Sequence, residues 1–146
     1  MSSITLRFLA EAGTVNVGGR IPGGTVLRWI DEAGCACATQ WAQRHVVAVF
    51  VGSIRFQRPI HVGSLVEVEA RLAYTGRTGM NLSVEVRSGD MTGAEMQTAT
   101  ECLAVFVALD AQGRPLPVDA FAPATPGEMA LAQRARAYLE AGRTPA

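Results

Sequence analysis

Between Thr25 and Gln43 the apolar residues Val26, Ile30, Ala33, Cys37 and Trp41 recur every three or four positions, and from Val46 onward the repeat shortens to two. That change of period admits one long helix followed by an antiparallel meander. Val46 to Phe56 is rich in Val, Ile and Phe. After a break at Arg58–Gly63, Ser64 to Tyr74 alternates, with Val66, Val68, Ala70, Leu72 and Tyr74 expected on a buried face and Glu67, Glu69 and Arg71 on a wet one. Thr75–Gly79 turns the chain into Met80–Arg87, which should pair with the preceding strand as a hairpin. A looser stretch leads to Thr98–Leu109, whose continuous apolar run from Cys102 predicts a strand covered on both sides. A short strand over residues 4–9 precedes a passage from Asn16 to Gly24 holding four glycines and a proline, too irregular for a strand. At the other end, Thr125-Pro126-Gly127-Glu128 has the form of a capping box and predicts a second, smaller helix through Ala141. The plan is α+β, with one helix lying across a curved sheet.

Composition narrows the function classes. A chain of 146 residues, 49% apolar, supports one core and not two. Thirteen basic residues balance thirteen acidic ones, which argues against nucleic acid as a partner, although every basic residue is Arg and a local cluster can still hold phosphate. No segment has the roughly 18 unbroken apolar residues of a membrane span, and the first residues do not resemble a signal peptide, so a cytoplasmic location is expected. Cys35, Cys37 and Cys102 are an odd count without a zinc-like partner cluster, and read as thiols rather than as a disulfide or metal site.

One carboxylate stands out. At about 100° per residue, Asp31 falls within roughly 100° of Ala38, Leu27, Gly34, Trp41 and Ile30, on the apolar arc of the helix, whereas Glu32 falls with Arg28, Thr39 and Gln43 on the polar arc. Glu32 with Arg28 is explained as a solvated pair. An acid on a face that must pack is costly unless it is hydrogen-bonded or borders a cavity, so Asp31 is a candidate acid or base; a loop cap or a dimer contact is the structural alternative. Gly23–Gly24 stands at the start of the same helix. There the first backbone N–H groups lack intrahelical partners and the absence of side chains lets a carbonyl oxygen approach, as an oxyanion site requires.

The run from Asn16 to Gly34, with the form N-x-x-G-x-x-x-G-G followed by an acid seven residues on, resembles the signature of hotdog-fold acyl-CoA thioesterases of the cytosolic acyl-CoA hydrolase type. The segment Ile54–Gly63, the turn Gly76-Arg77-Thr78 and the strand end Phe106–Asp110 match in order, extending the resemblance over about residues 5–120. It implies a single hotdog domain over 1–122, with an antiparallel sheet wrapped around the central helix and a helical extension at 123–146. It further implies a homodimer joined sheet edge to sheet edge, assembling to a hexamer. The resemblance assigns the acid to Asp31 as general base or nucleophile, a water-positioning role to Asn16 of the opposite subunit, and carbonyl polarisation to the Gly24 N–H. Contacts to CoA fall to Gly23, Arg77, Thr78 and Arg58. For Arg77 and Thr78 an ordinary exposed turn explains the residues equally well. No metal or separate cofactor is implied, because coenzyme A is part of the substrate. The chain departs from the pattern at Gly79, where Ser is usual, at Ser64, where Asp is usual, and at Pro22, which replaces an aromatic residue or His.

Two rivals share the fold. Dehydratases place a His near the helix start, and His45 and His61 both lie elsewhere. A non-catalytic acyl-CoA sensor would not need both Asn16 and Asp31.

Overall fold

A computed structural model describes residues 2–11 and 18–141. In chain order it contains β1 (Ser3–Leu9), α1 (Gly23–Ala42), β2 (Val46–Phe56), β3 (Leu65–Thr75), β4 (Gly79–Gly89), β5 (Gln97–Ala108) and α2 (Pro126–Ala141). The strands form one antiparallel sheet in the order β1-β3-β4-β5-β2, with β3 and β4 paired as the expected hairpin. The sheet wraps α1, as the hotdog resemblance implies.

The inner face carries the core. Val66, Val68, Met80, Leu82, Val84, Val86 and Phe106 pack against Val26, Ile30, Ala33, Cys37 and Ala38 of α1, all with little or no exposure. Burial of this kind stabilises by roughly 25 cal/mol per Å² of apolar surface. Phe106 sets how close the helix comes. A Cβ on Gly34 would stand 2.8 Å from the Phe106 ring, so only glycine lets helix and sheet meet here. Gly34→Ala is accordingly expected to destabilise the chain by about 1–3 kcal/mol through overpacking, seen as a Tm lower by several degrees in a thermal melt.

The outer face is divided. Leu131, Ala135 and Leu139 of α2 cover Ala73, Tyr74 and Val105, while Ala104, Phe106 and Ala108 face the core. The apolar run of β5 therefore has protein on both sides, as expected. Tyr74 corrects the sequence reading. A register shift between Leu72 and Tyr74 inserts one extra residue, which turns Tyr74 to the outer face, where Arg136 lies 4.2 Å from its ring centroid. The capping box forms: Glu128 N–H donates to Thr125 Oγ1 at 3.1 Å and the Thr125 N–H donates to Glu128 Oε1 at 3.0 Å.

The rest of the outer face is less wet than the alternation suggested. Glu67 is only 9% exposed, held by Arg7 of β1 and Arg87 of β4. Arg87 also reaches Glu85 at 2.6 Å and Glu69 at 3.1 Å, linking the charges across the strands. The Arg7 hydrogen bond, followed by the nearby positive charges, holds the Glu67 carboxyl below its ordinary value of 4.5. A depressed carboxyl contributes stability above its unfolded pKa and loses it as pH falls through the folded one. Glu67→Gln should therefore flatten the decline of Tm with pH below about 4.5, measured by melts across an acid series.

Candidate active site

α1 begins without a side-chain cap and without an acid in its first turn; Pro22, at φ −62° and ψ 148°, precedes it. The first backbone bonds run from the Thr25 and Val26 N–H groups to the Pro22 carbonyl, at 3.0 and 3.2 Å, so the Gly23 and Gly24 N–H groups precede the helical ladder. Both glycines are exposed. The strand-like segment before them is tied to the β2–β3 connection, the Ile21 N–H donating to Ile60 O and the Val62 N–H to Gly19 O, each at 2.8 Å. This fixes where α1 starts. Beside that start, Gly23, Val26, Phe56, Ile60, Arg58 and Thr100 line a pocket of about 180 Å³.

Asp31 does not point into the core. The buried residues of α1 form a stripe centred roughly 110° around the helix from it, which leaves Asp31 on the rim, exposed, between Leu27 and Cys35. The packed stripe continues beyond Ile30 to Val26, Cys37, Ala33 and Trp29, which places its centre well away from Asp31. Among the described residues no group donates a hydrogen bond to its carboxylate. This rim faces β2: α1 runs alongside that strand, Gly23 against Phe56 at one end and Cys35 near Val46 at the other. Between these ends Ala48 pairs with Phe106 and Val51 with Ala104, so both lie on the inner side of the sheet. Ala48 is exposed, and so are Val49, Val51 and Phe56. The carboxylate thus overlooks an open apolar trough along a strand whose outer edge is unpaired among the described residues.

The other candidates separate into two groups. Arg58 stands beside the helix start, but its Nη1 donates to the Thr98 carbonyl at 3.1 Å. That bond spends one donor on the chain and leaves the exposed remainder of the fork available. Arg77 and Thr78 occupy the β3–β4 turn, where the Arg77 carbonyl accepts from the Val118 N–H at 3.0 Å. The register aligns Gly79 with Val107 and Val107 with Val47, at the far end of β2 from Phe56. Within one chain the turn is roughly 20–25 Å along the sheet from Gly23. Asn16 lies outside the described residues. His45 and His61 are surface residues, Trp29 packs edge-on against Phe8, and the Trp41 Nε1–H donates to Asp119 O at 2.8 Å.

An antiparallel sheet wrapped around one long helix is the hotdog architecture, and here an uncapped helix start lies two turns before an exposed acid. Residues 18–95 match the thioesterase superfamily. Acyl-CoA thioester hydrolase YciA of Escherichia coli (strain K12) is 34% identical over 121 residues, spanning 80% of this chain and 92% of that one. Among solved structures, an apo-hexameric acyl-CoA thioesterase superposes with a TM-score of 0.90 at 33% identity, covering 97% of this chain and 90% of the other. Acyl-CoA hydrolase from Staphylococcus aureus, in complex with butyryl coenzyme A, coenzyme A and coenzyme A disulfide, gives 0.89 at 26% identity, with 97% and 86% covered. The chain belongs to the thioesterase superfamily and is an enzyme of its thioester-hydrolase branch.

Alanine variants of the S. aureus protein replace an asparagine, an aspartate and a threonine. That asparagine and aspartate are fifteen positions apart, the interval between Asn16 and Asp31. The threonine lies seventeen beyond the aspartate; seventeen beyond Asp31 stands Ala48, on the strand facing the rim.

Proposed function

We propose that this chain hydrolyses acyl-CoA thioesters to the free acid and CoA. The observation that carries the reading is the placement of Asp31: exposed, beside an apolar trough, on the helix whose uncapped start presents the Gly23 and Gly24 N–H groups. A thioester carbonyl polarised by the Gly24 N–H develops negative charge as it is attacked, and the amide dipoles at the helix start oppose that charge. Asp31 acts as general base toward water or as the nucleophile itself, and Asn16 of the partner subunit orients the water or intermediate. The CoA thiolate leaves and takes up a proton. The trough along Val51 and Phe56 receives the acyl chain, and CoA enters as part of the substrate.

Oligomerisation completes the site. Among the described residues β2 ends the sheet with an unpaired edge and exposed Val49, Val51 and Phe56. Two chains joined through β2 about a two-fold axis run antiparallel, which carries the partner's β3–β4 turn to the end of the sheet where α1 starts. Arg77 and Thr78 then serve the neighbouring subunit's CoA, with Arg58 and Gly23 contributed in cis. The hexameric thioesterases that resemble this chain support a trimer of such dimers.

The test is free-thiol release from acyl-CoAs of graded chain length by the purified protein. Thiol release for at least part of the series is expected. Tight CoA binding without release at any length would instead assign a sensor. Gly24→Pro tests the polarising amide: proline is tolerated in a first turn, so the helix start survives while one N–H is lost. A fall in kcat of roughly 10²–10³-fold is expected in the same assay.

A further inference from the structure

A second site lies on the face of the sheet turned away from α1. Arg55 of β2, Arg71 of β3 and Arg134 of α2 line one groove of about 300 Å³. The strand register assembles it. Arg71 pairs with Ser83, and in the adjacent row Glu85 pairs with Glu101, which pairs with Arg55. α2 turns Leu131 and Ala135 onto the sheet and so hangs Arg134 over the groove's edge.

None of these three arginines forms an ion pair within 4.0 Å among the described residues. Of the two carboxylates in the groove, Glu85 is already engaged by Arg87 and by the Thr98 hydroxyl. Arg87 is shared with Glu67 and Glu69, so the groove sets three guanidinium groups against the two carboxylates Glu85 and Glu101, a local excess of one positive charge in a chain whose formal charge is zero. Guanidinium forks converging from separate elements match the oxygens of a phosphate with two parallel N–H donors each, and the bound anion relieves their mutual repulsion. Its lining is mixed, polar at Ser53 and Ser83 and apolar at Leu103, Leu131 and Tyr138.

We propose that this groove binds a compact polyanion of the phosphate class, on the opposite face of the sheet from Asp31 and without competing for the acyl-CoA site. Inorganic pyrophosphate and the diphosphate end of a nucleotide share the required chemistry. Calorimetric titration of the intact protein at low ionic strength with pyrophosphate, and separately with uridine 5′-diphosphate, which is not a piece of CoA, tests it. Saturable binding that weakens with added salt is expected for at least one probe. Pyrophosphate binding marks a site for the free anion, and binding of the nucleotide alone marks recognition of the base as well. In the double variant Arg71→Gln/Arg134→Gln affinity should fall at least tenfold, while Arg77→Gln, which alters the turn assigned to CoA, should bind as the parent does. Three results would overturn the proposal: no saturable binding of either probe, undiminished binding by the double variant, or loss confined to Arg77→Gln.

Discussion

Asp31→Asn is expected to lower kcat for acyl-CoA hydrolysis by about three orders of magnitude, the midrange of what a positioned general base contributes. KM should change little, because the amide is nearly isosteric and the contacts proposed for CoA lie at the helix start and in the β3–β4 turn. Stability should be almost untouched. Asp31 is exposed and accepts no hydrogen bond from the described residues, so its replacement removes no packing, and surface changes of this kind usually fall within about 0.5 kcal/mol. Glu32 is the internal control. It lies on the same helix one residue on, paired with Arg28 at 3.7 Å and well exposed, and Glu32→Gln should leave kcat within a factor of two or so. Steady-state kinetics with a thermal melt for each variant separates a chemical role from a structural one. Equal losses in Glu32→Gln and Asp31→Asn would remove the assignment.

The second large effect is expected at the sheet edge. Val51 is 41% exposed on an eleven-residue edge strand interrupted by two register shifts, and a long apolar edge left open would invite uncontrolled pairing. Val51→Lys places a charge on the inner side of the edge strand, at the rim where the partner subunit should pack and in the trough assigned to the acyl chain. Size-exclusion chromatography with light scattering should then report a shift toward monomer, and hydrolysis should fall at least a hundredfold because Asp31 is separated from Asn16 of the partner subunit and the acyl trough beside it is charged. Far-UV circular dichroism should retain the parent spectrum, since the methyls of Val51 lie outside the buried core. A monomer with full activity would place the whole site within one chain.

Much of this was legible before any coordinates. The change from period three-and-four to period two marks α1 and the meander because core packing enforces both. The capping box marked α2 because two local hydrogen bonds define it. What escaped was set by contacts between elements. The inserted residue that turns Tyr74 outward leaves no mark on the alternation, since β3 reads as regular through Tyr74. The rim position of Asp31 depends on which side of α1 meets the sheet, and Phe106 against Gly34 decides that. Exposure of β2 was equally hidden: a Val- and Phe-rich strand has the same composition at a sheet's centre as at an edge awaiting a partner. Asn16 was assigned by the family resemblance, and its fifteen-residue interval to Asp31 recurs between the asparagine and aspartate replaced in a related hydrolase.

The shared site has a direct measurement. Asp31→Asn and Asn16→Ala chains, each expected to be nearly inactive alone, are dissociated, mixed in equal amounts and reassembled, and thiol release is followed. If Asp31 acts with Asn16 of the partner subunit, half of the reassembled dimers are mixed and each has one intact site of two, so about a quarter of the parental activity should return. Reassembly to mixed dimers with no gain over the separate variants would contradict the account.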